Sequence, residues 1–379
     1  MLLESNAVCC AGRLLLPGAL CFSASLFAQV PVVTETNAVI RVMASNLSSG
    51  SNMRYETPGL RILKGLKPDM VAMQEFNCSN SFGINTPAAL RSMIDNIFGT
   101  NFSYFRESGY AIPNGIISRY PLTASGSWVD SDTGVNDRGF AWARIDLPGT
   151  NDLYVVSVHL KAGNTTDDVS RRAAEVSELT ALISTNIPTG AWTIVGGDLN
   201  VYSETEVAIT NFASFLSDSP VPTDLNGGTN TNLGRSQRYD RVLTSFSLTN
   251  ALIPVFLPSN ILSNGLVFIS TNYVPLGDVP PVQYGDSVVS GMQHMAVVRD
   301  FTIAYANTNF VVVDPPALTF EPPGILRWQG DSNLTYTVQV STNLAQWGNL
   351  GTATSTTSSF AFTNLIGGNA RQFYRVAYP

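Results

Sequence analysis

Short apolar runs, each ended by polar residues or glycine, recur along most of the chain. Runs of four to eight apolar or β-branched residues bounded by Gly, Pro and Asn predict buried strands. They lie at residues 39–44 (VIRVMA), 70–73 (MVAM), 115–118 (GIIS), 140–147, 153–160 (LYVVSVHL), 192–195 (WTIV) and 295–303. The chain is therefore rich in sheet.

Helix signals lie between these strands. Thr57-Pro58 and Thr86-Pro87 each predict an N-cap followed by the first helical residue, and Lys67-Pro68 predicts the end of the first helix. Asp167 or Asp168 predicts the cap of a longer helix, whose apolar positions near a 3.6-residue period are Val169, Ala173, Val176, Thr180 and Ile183. Alternation of strands and helices predicts an α/β domain over residues 35–305.

The pattern changes after residue 305. Pro315-Pro316 and Pro322-Pro323 predict a linker over residues 306–323. Short β-type runs separated by Gly, Asn and Ser follow at 326–328, 335–340, 360–362 and 373–376, so we expect a small β-sandwich over residues 324–379.

The first 28 residues resemble a secretory signal peptide, with Arg13 before a short apolar run that ends at Ala28. The run is too short to favour a membrane span, so we expect a secreted or periplasmic protein without stable membrane insertion. Cys9, Cys10 and Cys21 lie in this segment, and cleavage would leave Cys78 alone, without an internal disulfide or a cysteine metal site. An uncleaved apolar helix is the alternative.

Composition limits the classes of function. The chain has 379 residues, of which 44% are hydrophobic and 13% charged, which suits a large core and excludes general disorder. Its net charge is −7 without a Lys/Arg cluster, so tight non-specific DNA binding through counterion release is not indicated. An enzyme that releases its products does not need such binding.

The most informative stretch is 191–202, AWTIVGGDLNVY. If the strand continues past Gly196-Gly197, Asp198 and Asn200 leave the same face, because strand side chains alternate. A carboxylate and an amide would then project together from the end of a buried strand. A polar turn after a strand is the plain alternative, since Asp and Asn are common turn residues.

Other polar residues fall at strand ends in the same region. The chain has only two histidines, His159 and His294, and both lie near strand ends, as do Glu75 and Asp240. Phosphodiester hydrolysis needs an oriented water, a base, and charge neutralisation on the phosphoryl oxygens. Oxygen ligands without cysteine favour a hard cation, Mg²⁺ or Mn²⁺.

Six motifs resemble, in order, those of the endonuclease/exonuclease/phosphatase family, which includes DNase I-like nucleases, sphingomyelinases and inositol-polyphosphate phosphatases. They are Ser45-Asn46, 71–75 (VAMQE), 156–160 (VSVHL), 196–200 (GGDLN), 239–243 (YDRVL) and 294–298 (HMAVV). The resemblance implies a four-layered α/β sandwich, in which two central β-sheets are flanked by helices and the site lies at one edge. It also implies a metal-dependent hydrolase that acts on phosphoester bonds.

The resemblance further implies roles for matching residues. Glu75 is the principal metal ligand, and Asn46 supports the metal or the phosphate. Asp198 and Asn200 orient the nucleophilic water and the phosphoryl group. The remaining implied residues are His294 on the base side, Asp240 as an acid that orients it, His159 as a contact on the phosphate or leaving-group side and a candidate acid, and Arg138 as a phosphate contact.

One position departs from the family pattern. Where the family commonly has Asp before the last histidine, this chain has Gln293. A glutamine cannot stabilise a charged histidine as a carboxylate does. We therefore expect weaker or metal-sensitive activity, and Asp286 is the candidate substitute.

Three hypotheses about function are compatible with the sequence. The first is a secreted, monomeric nuclease or phosphodiesterase whose substrate is a phosphoester or nucleic acid. The second is a sphingomyelinase-like phospholipase or another phosphatase, supported by the apolar stretch 255–275, for which ordinary core strands are the plainer interpretation. The third is a non-catalytic binding or adhesion protein, supported by Gln293 and by a C-terminal region that weakly resembles fibronectin type III modules and could attach to a surface or glycan.

Overall fold

The computed structural model describes residues 11–12, 28–49, 53–78, 82, 85–131, 138–149, 151–313, 318–321, 325–330, 332–363 and 372–377. The chain divides into two compact units, Thr36–Tyr305 and a second made of Met1–Glu35 with Ala306–Pro379. Among the described residues, no helix has both the length and the apolar character that crossing a bilayer requires. Of the predicted signal segment, only Ala11, Gly12 and Ala28 fall within the described residues.

Three α-helices begin close to the predicted positions: α1 (Thr57–Leu66), α2 (Pro87–Phe98) and α3 (Thr166–Asn186). A short fourth helix, α4 (Val207–Ala213), was not predicted.

The strands, in chain order, are β1 (Ala11–Gly12), β2 (Ala28–Ser45), β3 (Met70–Met73), β4 (Ser103–Arg106), β5 (Gly115–Ser118), β6 (Leu122–Trp128), β7 (Phe140–Ile145), β8 (Leu153–His159), β9 (Trp192–Asp198), β10 (Leu216–Ser217), β11 (Asp240–Ser245), β12 (Leu252–Ile253), β13 (Val255–Leu257), β14 (Asn260–Leu262), β15 (Leu266–Phe268), β16 (Ala296–Val313), β17 (Thr319–Glu321), β18 (Ile325–Gln329), β19 (Thr335–Ser341), β20 (Gly348–Thr354), β21 (Ser359–Phe362) and β22 (Phe373–Ala377).

The larger unit has two sheets between helices, which confirms the predicted α/β sandwich. One sheet has the order β12-β16-β2-β3-β5-β4 with β15 beside β16, and the other has the order β10-β11-β9-β8-β7-β6. Apolar side chains from both sheets, such as Val42, Ala72, Val155 and Ile194, share one core. Two further cores lie between the first sheet and α1 and α2, and between the second sheet and α3 and α4. The order is therefore helices, sheet, sheet, helices.

The smaller unit is built from two small sheets. Their orders are β1-β22-β19-β20 and β17-β18-β21, and they share a core that includes Trp328, Tyr336, Val338 and Phe360. The predicted linker, residues 306–323, contains the end of β16 and all of β17. The domain limits proposed from the sequence stay predictions.

Three helix predictions differ from the structure in detail. Glu56, not Thr57, is the N-cap of α1, and its side chain makes no capping bond. Thr165, not Asp167 or Asp168, caps α3, because Thr165 and Asp168 form a reciprocal capping box. The buried face of α3 contains Arg172 and Glu175 in addition to Val176, Leu179 and Ile183, in place of the predicted Val169, Ala173 and Thr180.

The strand directions bring distant residues to one edge of the sandwich. Strands β2 and β3 are parallel, so Asn46 and the residues after Met73 leave the same end of the first sheet. In the second sheet His159 lies opposite Asp198 across parallel strands β8 and β9, and Asp198 lies opposite Asp240 across β9 and β11.

Candidate active site

Asp198 lies at the centre of a buried polar cluster at this edge. Its Oδ2 atom accepts a hydrogen bond from Asn46 Nδ2 at 3.0 Å, and it lies 3.3 Å from His159 Nε2 and 3.4 Å from His294 Nε2. Its Oδ1 atom accepts the backbone N–H of Asn200 at 3.0 Å. The cluster therefore joins the ends of both sheets through one carboxylate.

His294 is held between two carboxylates. Its Nδ1 atom lies 2.9 Å from Asp240 Oδ2, while Nε2 faces Asp198. Burial alone would lower the pKa of His294, but the negative charges of Asp240, Asp198 and Glu75 outweigh it and raise that pKa to about 10. Burial also raises the pKa of Asp198. The surrounding carboxylates therefore favour the protonated form of His294, in which both ring N–H groups face carboxylate oxygens.

His159 differs from His294 in charge. Burial lowers the pKa of His159 well below its ordinary value, and the positive charges of Arg138 and His294 lower it further. A neutral imidazole can donate one hydrogen bond but does not carry a spare proton at neutral pH. Its Nδ1 atom is buried without a hydrogen-bond partner among the described residues. This environment favours contact with a substrate oxygen over proton transfer.

Glu75 follows β3 and is half-buried. Its Oε2 atom accepts a hydrogen bond from Ser48 Oγ. Burial raises the pKa of this carboxyl group, whereas the bond from Ser48 and the charge of His294 act in the opposite direction. Its backbone is left-handed, with φ 48°, a conformation that non-glycine residues rarely adopt without tertiary support.

That support includes Tyr55, which is fully buried. Its hydroxyl oxygen lies 2.6 Å from the Ser45 carbonyl and 3.0 Å from the Gln74 carbonyl, next to Asn46 and Glu75. Burial raises the pKa of Tyr55, so its hydroxyl keeps its proton and can donate. Sequence reasoning missed both Ser48 and Tyr55, because neither stands in a motif of its own.

Asn200 and Arg138 meet at a single backbone oxygen. Asn200 Nδ2 donates to the Leu160 carbonyl at 3.0 Å, and Arg138 Nη1 lies 3.4 Å from the same oxygen. Asn200 also has a left-handed backbone, with φ 49°. Both side chains therefore lie beside His159, the residue that precedes Leu160.

Gly197 allows the β8 and β9 strand ends to approach. It has φ 153°, and a Cβ atom there would lie 1.9 Å from the Val158 carbonyl oxygen. Any side chain would push β9 away from β8 and displace Asp198 from His159. The paired glycines before Asp198 thus serve close packing at the site.

A buried ion pair ties the two loops that follow β8 and β9. Arg172 on α3 contacts both carboxylate oxygens of Glu206, at 2.9 and 3.0 Å, and its Nη1 atom donates to the carbonyls of Lys161 and Gly163 at 2.9 and 2.7 Å. Glu206 also accepts the Tyr202 N–H at 2.7 Å. We refer to Arg172 and Glu206 as the loop clamp. Periodicity alone did not indicate it, since an arginine on a helix is ordinarily solvated.

The side-chain partners of His294 in the described part of the chain are Asp240 and Asp198, not Gln293 or Asp286. The Gln293 side chain is exposed. Asp286 is buried and forms a two-point ion pair with Arg61, through Arg61 Nε at 2.9 Å and Arg61 Nη2. Asp240 is the carboxylate that holds His294 Nδ1, at 2.9 Å.

Two groups of side chains could contribute to a cation site. Asp198, Asp240 and His294 offer ligand atoms that lie within 4.8 Å of one another. Their mutual contacts already engage much of this set, although the buried Oδ1 atom of Asp240 has no hydrogen-bond partner among the described residues. The second group is Glu75 and Asn46. The Glu75 carboxylate is more exposed to solvent than those of Asp198 and Asp240. Both groups supply oxygen donors of the kind that Mg²⁺ and Mn²⁺ prefer.

The sequence matches one protein family over more than half of its length. A family model described as the endonuclease/exonuclease/phosphatase family matches residues 52–260. No curated protein matches the chain.

Solved structures that resemble this one share little sequence with it. An endonuclease/exonuclease/phosphatase from Beutenbergia cavernae is 15% identical, with 90% of this chain and 100% of that chain covered and a TM-score of 0.46. An AP endonuclease from Archaeoglobus fulgidus is 15% identical, with 69% and 99% covered and a TM-score of 0.45. A beta toxin from Staphylococcus aureus is 16% identical, with 69% and 99% covered and a TM-score of 0.45.

The family model spans more than half of the chain and includes Glu75, His159, Asp198 and Asp240, all of which lie at the edge described above. The chain belongs to the endonuclease/exonuclease/phosphatase family, whose enzymes hydrolyse phosphoester bonds.

Proposed function

We propose that this edge is the active site of a phosphodiesterase that uses Mg²⁺ or Mn²⁺ and acts outside the cytoplasm. The observation that carries the proposal is the convergence of Asn46, His159 and His294 on the single carboxylate of Asp198, at 3.0, 3.3 and 3.4 Å. A buried carboxylate between two imidazoles can orient a water molecule for attack on phosphorus.

The charge of each side chain suggests its role in the reaction. Asp198 orients the attacking water and accepts its proton, and protonated His294, held by Asp240, faces Asp198 through Nε2. Arg138, Asn200 and neutral His159 face the phosphoryl oxygens and stabilise the negative charge that develops on them. These roles agree with the opposite pKa directions of the two histidines.

A divalent cation would be held by Glu75 and Asn46. Glu75 is only half-buried, whereas Asp198 and Asp240 are fully buried, so Glu75 loses least hydration when a cation arrives from solvent. When bound, the cation supplies neutralisation of charge on the phosphate and at the leaving oxygen. Secretion, a monomeric state and a surface- or glycan-attaching role for the smaller unit remain part of this proposal.

A phospholipase is the second candidate, supported by the β13–β14 hairpin. Phe256 and Ile261 lie opposite each other on its outer face and are 52% and 66% exposed, while Val255 and Leu262 are buried. However, Arg41 Nη2 donates to the Phe256 carbonyl at 2.9 Å. Arg41 precedes Asn46 by five residues on β2, and a strand of that length spans about 17 Å. The apolar pair is thus attached well away from the strand end that carries the site, which favours a non-lipid diester as the substrate.

A substrate panel separates these candidates. We expect the purified full chain, with Mg²⁺ or Mn²⁺, to hydrolyse bis-p-nitrophenyl phosphate and a dinucleoside phosphate at least about tenfold faster than p-nitrophenyl phosphate, because charge stabilisation here suits a diester. Sphingomyelin vesicles provide the lipid arm, with the variant Phe256→Ser/Ile261→Ser as its control. Faster hydrolysis of sphingomyelin than of either non-lipid diester, lost in that variant, would establish the phospholipase instead.

A further inference from the structure

Two tyrosine rings lie in a row next to His294: Tyr239 packs beside the histidine, and Tyr202 packs beside Tyr239. Tyr202 lies two residues after Asn200, and Tyr239 directly precedes Asp240. Their ring centroids are 5.4 Å apart with planes tilted by 58°, and Tyr239 is 6.0 Å from the His294 ring. Both residues are half-buried. We refer to Tyr202 and Tyr239 as the tyrosine pair.

Contacts with the loop clamp and with Leu199 hold the tyrosine pair in place. The backbone N–H of Tyr202 donates to Glu206 of the loop clamp, and the Arg172 guanidinium lies 5.7 Å from the Tyr202 ring centroid. The Tyr239 carbonyl accepts the Leu199 N–H at 2.8 Å. A surface fixed in this way before binding loses little conformational freedom when a ligand packs on it.

Charge around the pair argues against a long polyanion. The whole chain carries a net charge of −7. The neighbouring arginines Arg238 and Arg241 are both engaged by the carboxylates of Glu204 and Asp218. Proteins that follow a nucleic-acid backbone combine stacking with a groove of uncompensated Lys and Arg. The tyrosine pair offers the stacking, but Arg172, Arg238 and Arg241 are already paired with carboxylates and do not form such a groove.

We propose that the tyrosine pair is a stacking subsite for the base of a nucleoside whose sugar carries the scissile phosphate. The inference rests on the proposed phosphodiesterase function and names its substrate class as short nucleotide diesters. Stacking on an aromatic side chain does not depend on base identity, since every base has a π-face. The enzyme therefore recognises the presence of a base near the cleaved bond more than a sequence.

The test compares a dinucleoside phosphate with analogues that lack the base on one side or the other of the phosphate. We expect the full chain with Mg²⁺ to show a kcat/KM at least about tenfold higher for the substrate that carries a base on the stacking side. Tyr239→Leu and Tyr202→Leu should each reduce this ratio severalfold, and Tyr→Phe at either position should retain it. Tyr284→Leu, at a position 76% exposed and outside the site, is the matched control and should retain it too.

Equal kcat/KM for the base-bearing and base-free substrates would overturn the stacking proposal and leave the phosphodiesterase intact. A base preference unchanged in both Leu variants would do the same. If the full chain cleaves none of these diesters while it cleaves another phosphoester, the proposed function and this inference fall together. A steep loss of rate with added NaCl would also contradict it, because it would reveal recognition through phosphate contacts.

Discussion

Asp198→Asn is expected to lower kcat on bis-p-nitrophenyl phosphate by about 10³-fold while the protein stays folded. Asparagine keeps the shape of the side chain, but it removes the charge that faces His159 and His294 and, with it, the proton acceptor for the attacking water. The neighbours of Asp198 lie within 3.4 Å, so the substitution acts on all of them at once.

Asp167→Asn is the matched control for this substitution. Asp167 is exposed in the first turn of α3, and its variant should keep the wild-type rate. Circular dichroism and thermal unfolding of both variants separate lost chemistry from lost fold. An Asp198→Asn enzyme with more than a tenth of the wild-type kcat would show that the carboxylate is not part of the reaction.

Single and double substitutions in the loop clamp should affect the unfolding free energy and kcat differently. Arg172→Met alone leaves Glu206 buried without its partner, which costs about 3–5 kcal/mol of unfolding free energy. Arg172→Met/Glu206→Leu removes both charges and should recover much of that stability. The double variant still lacks the bonds that Arg172 donates to the Lys161 and Gly163 carbonyls and the bond that Glu206 accepts from the Tyr202 N–H. The loops beside His159 and Asn200 therefore loosen, and kcat stays about tenfold or more below wild type.

A second ion pair provides the control for the clamp. Arg41 and Asp300 form a two-point pair on β2 and β16, five residues before Asn46 and six after His294 along the strands. Arg41→Met/Asp300→Leu should change unfolding temperature but leave kcat close to wild type. Wild-type kcat in the clamp double variant would mean that Arg172 and Glu206 serve stability alone.

Local patterns were sufficient for much of the fold. Met70–Met73 and Gly115–Ser118 are strands with the limits that their apolar runs predict. A short apolar run bounded by polar residues leaves little choice of where the strand begins and ends. Strands β4 and β20 were missed. Their side chains are only partly buried, so their sequences lack the alternation that marks a strand with one buried face.

Errors on α3 have a different origin. Arg172 and Glu175 lie on its buried face because Glu206 and the backbone of residues 161–163 satisfy them. Those partners are distant in sequence, and no helical period reveals them. The same limit applies at the site: motifs named Asp198, Asp240 and His294, but the tyrosine pair and Tyr55 gained significance only from their neighbours in space.

The most direct test of the central claim is a cation titration of bis-p-nitrophenyl phosphate hydrolysis, after chelation, for the wild-type chain, Glu75→Gln and Glu321→Gln. Glu321 is an exposed carboxylate in the smaller unit and serves as the matched control. We expect Mg²⁺ or Mn²⁺ to restore hydrolysis in the wild type and in Glu321→Gln, and Glu75→Gln to stay about 10²-fold or more slower. Full hydrolysis in the presence of chelator, or a wild-type response of Glu75→Gln, would contradict the account.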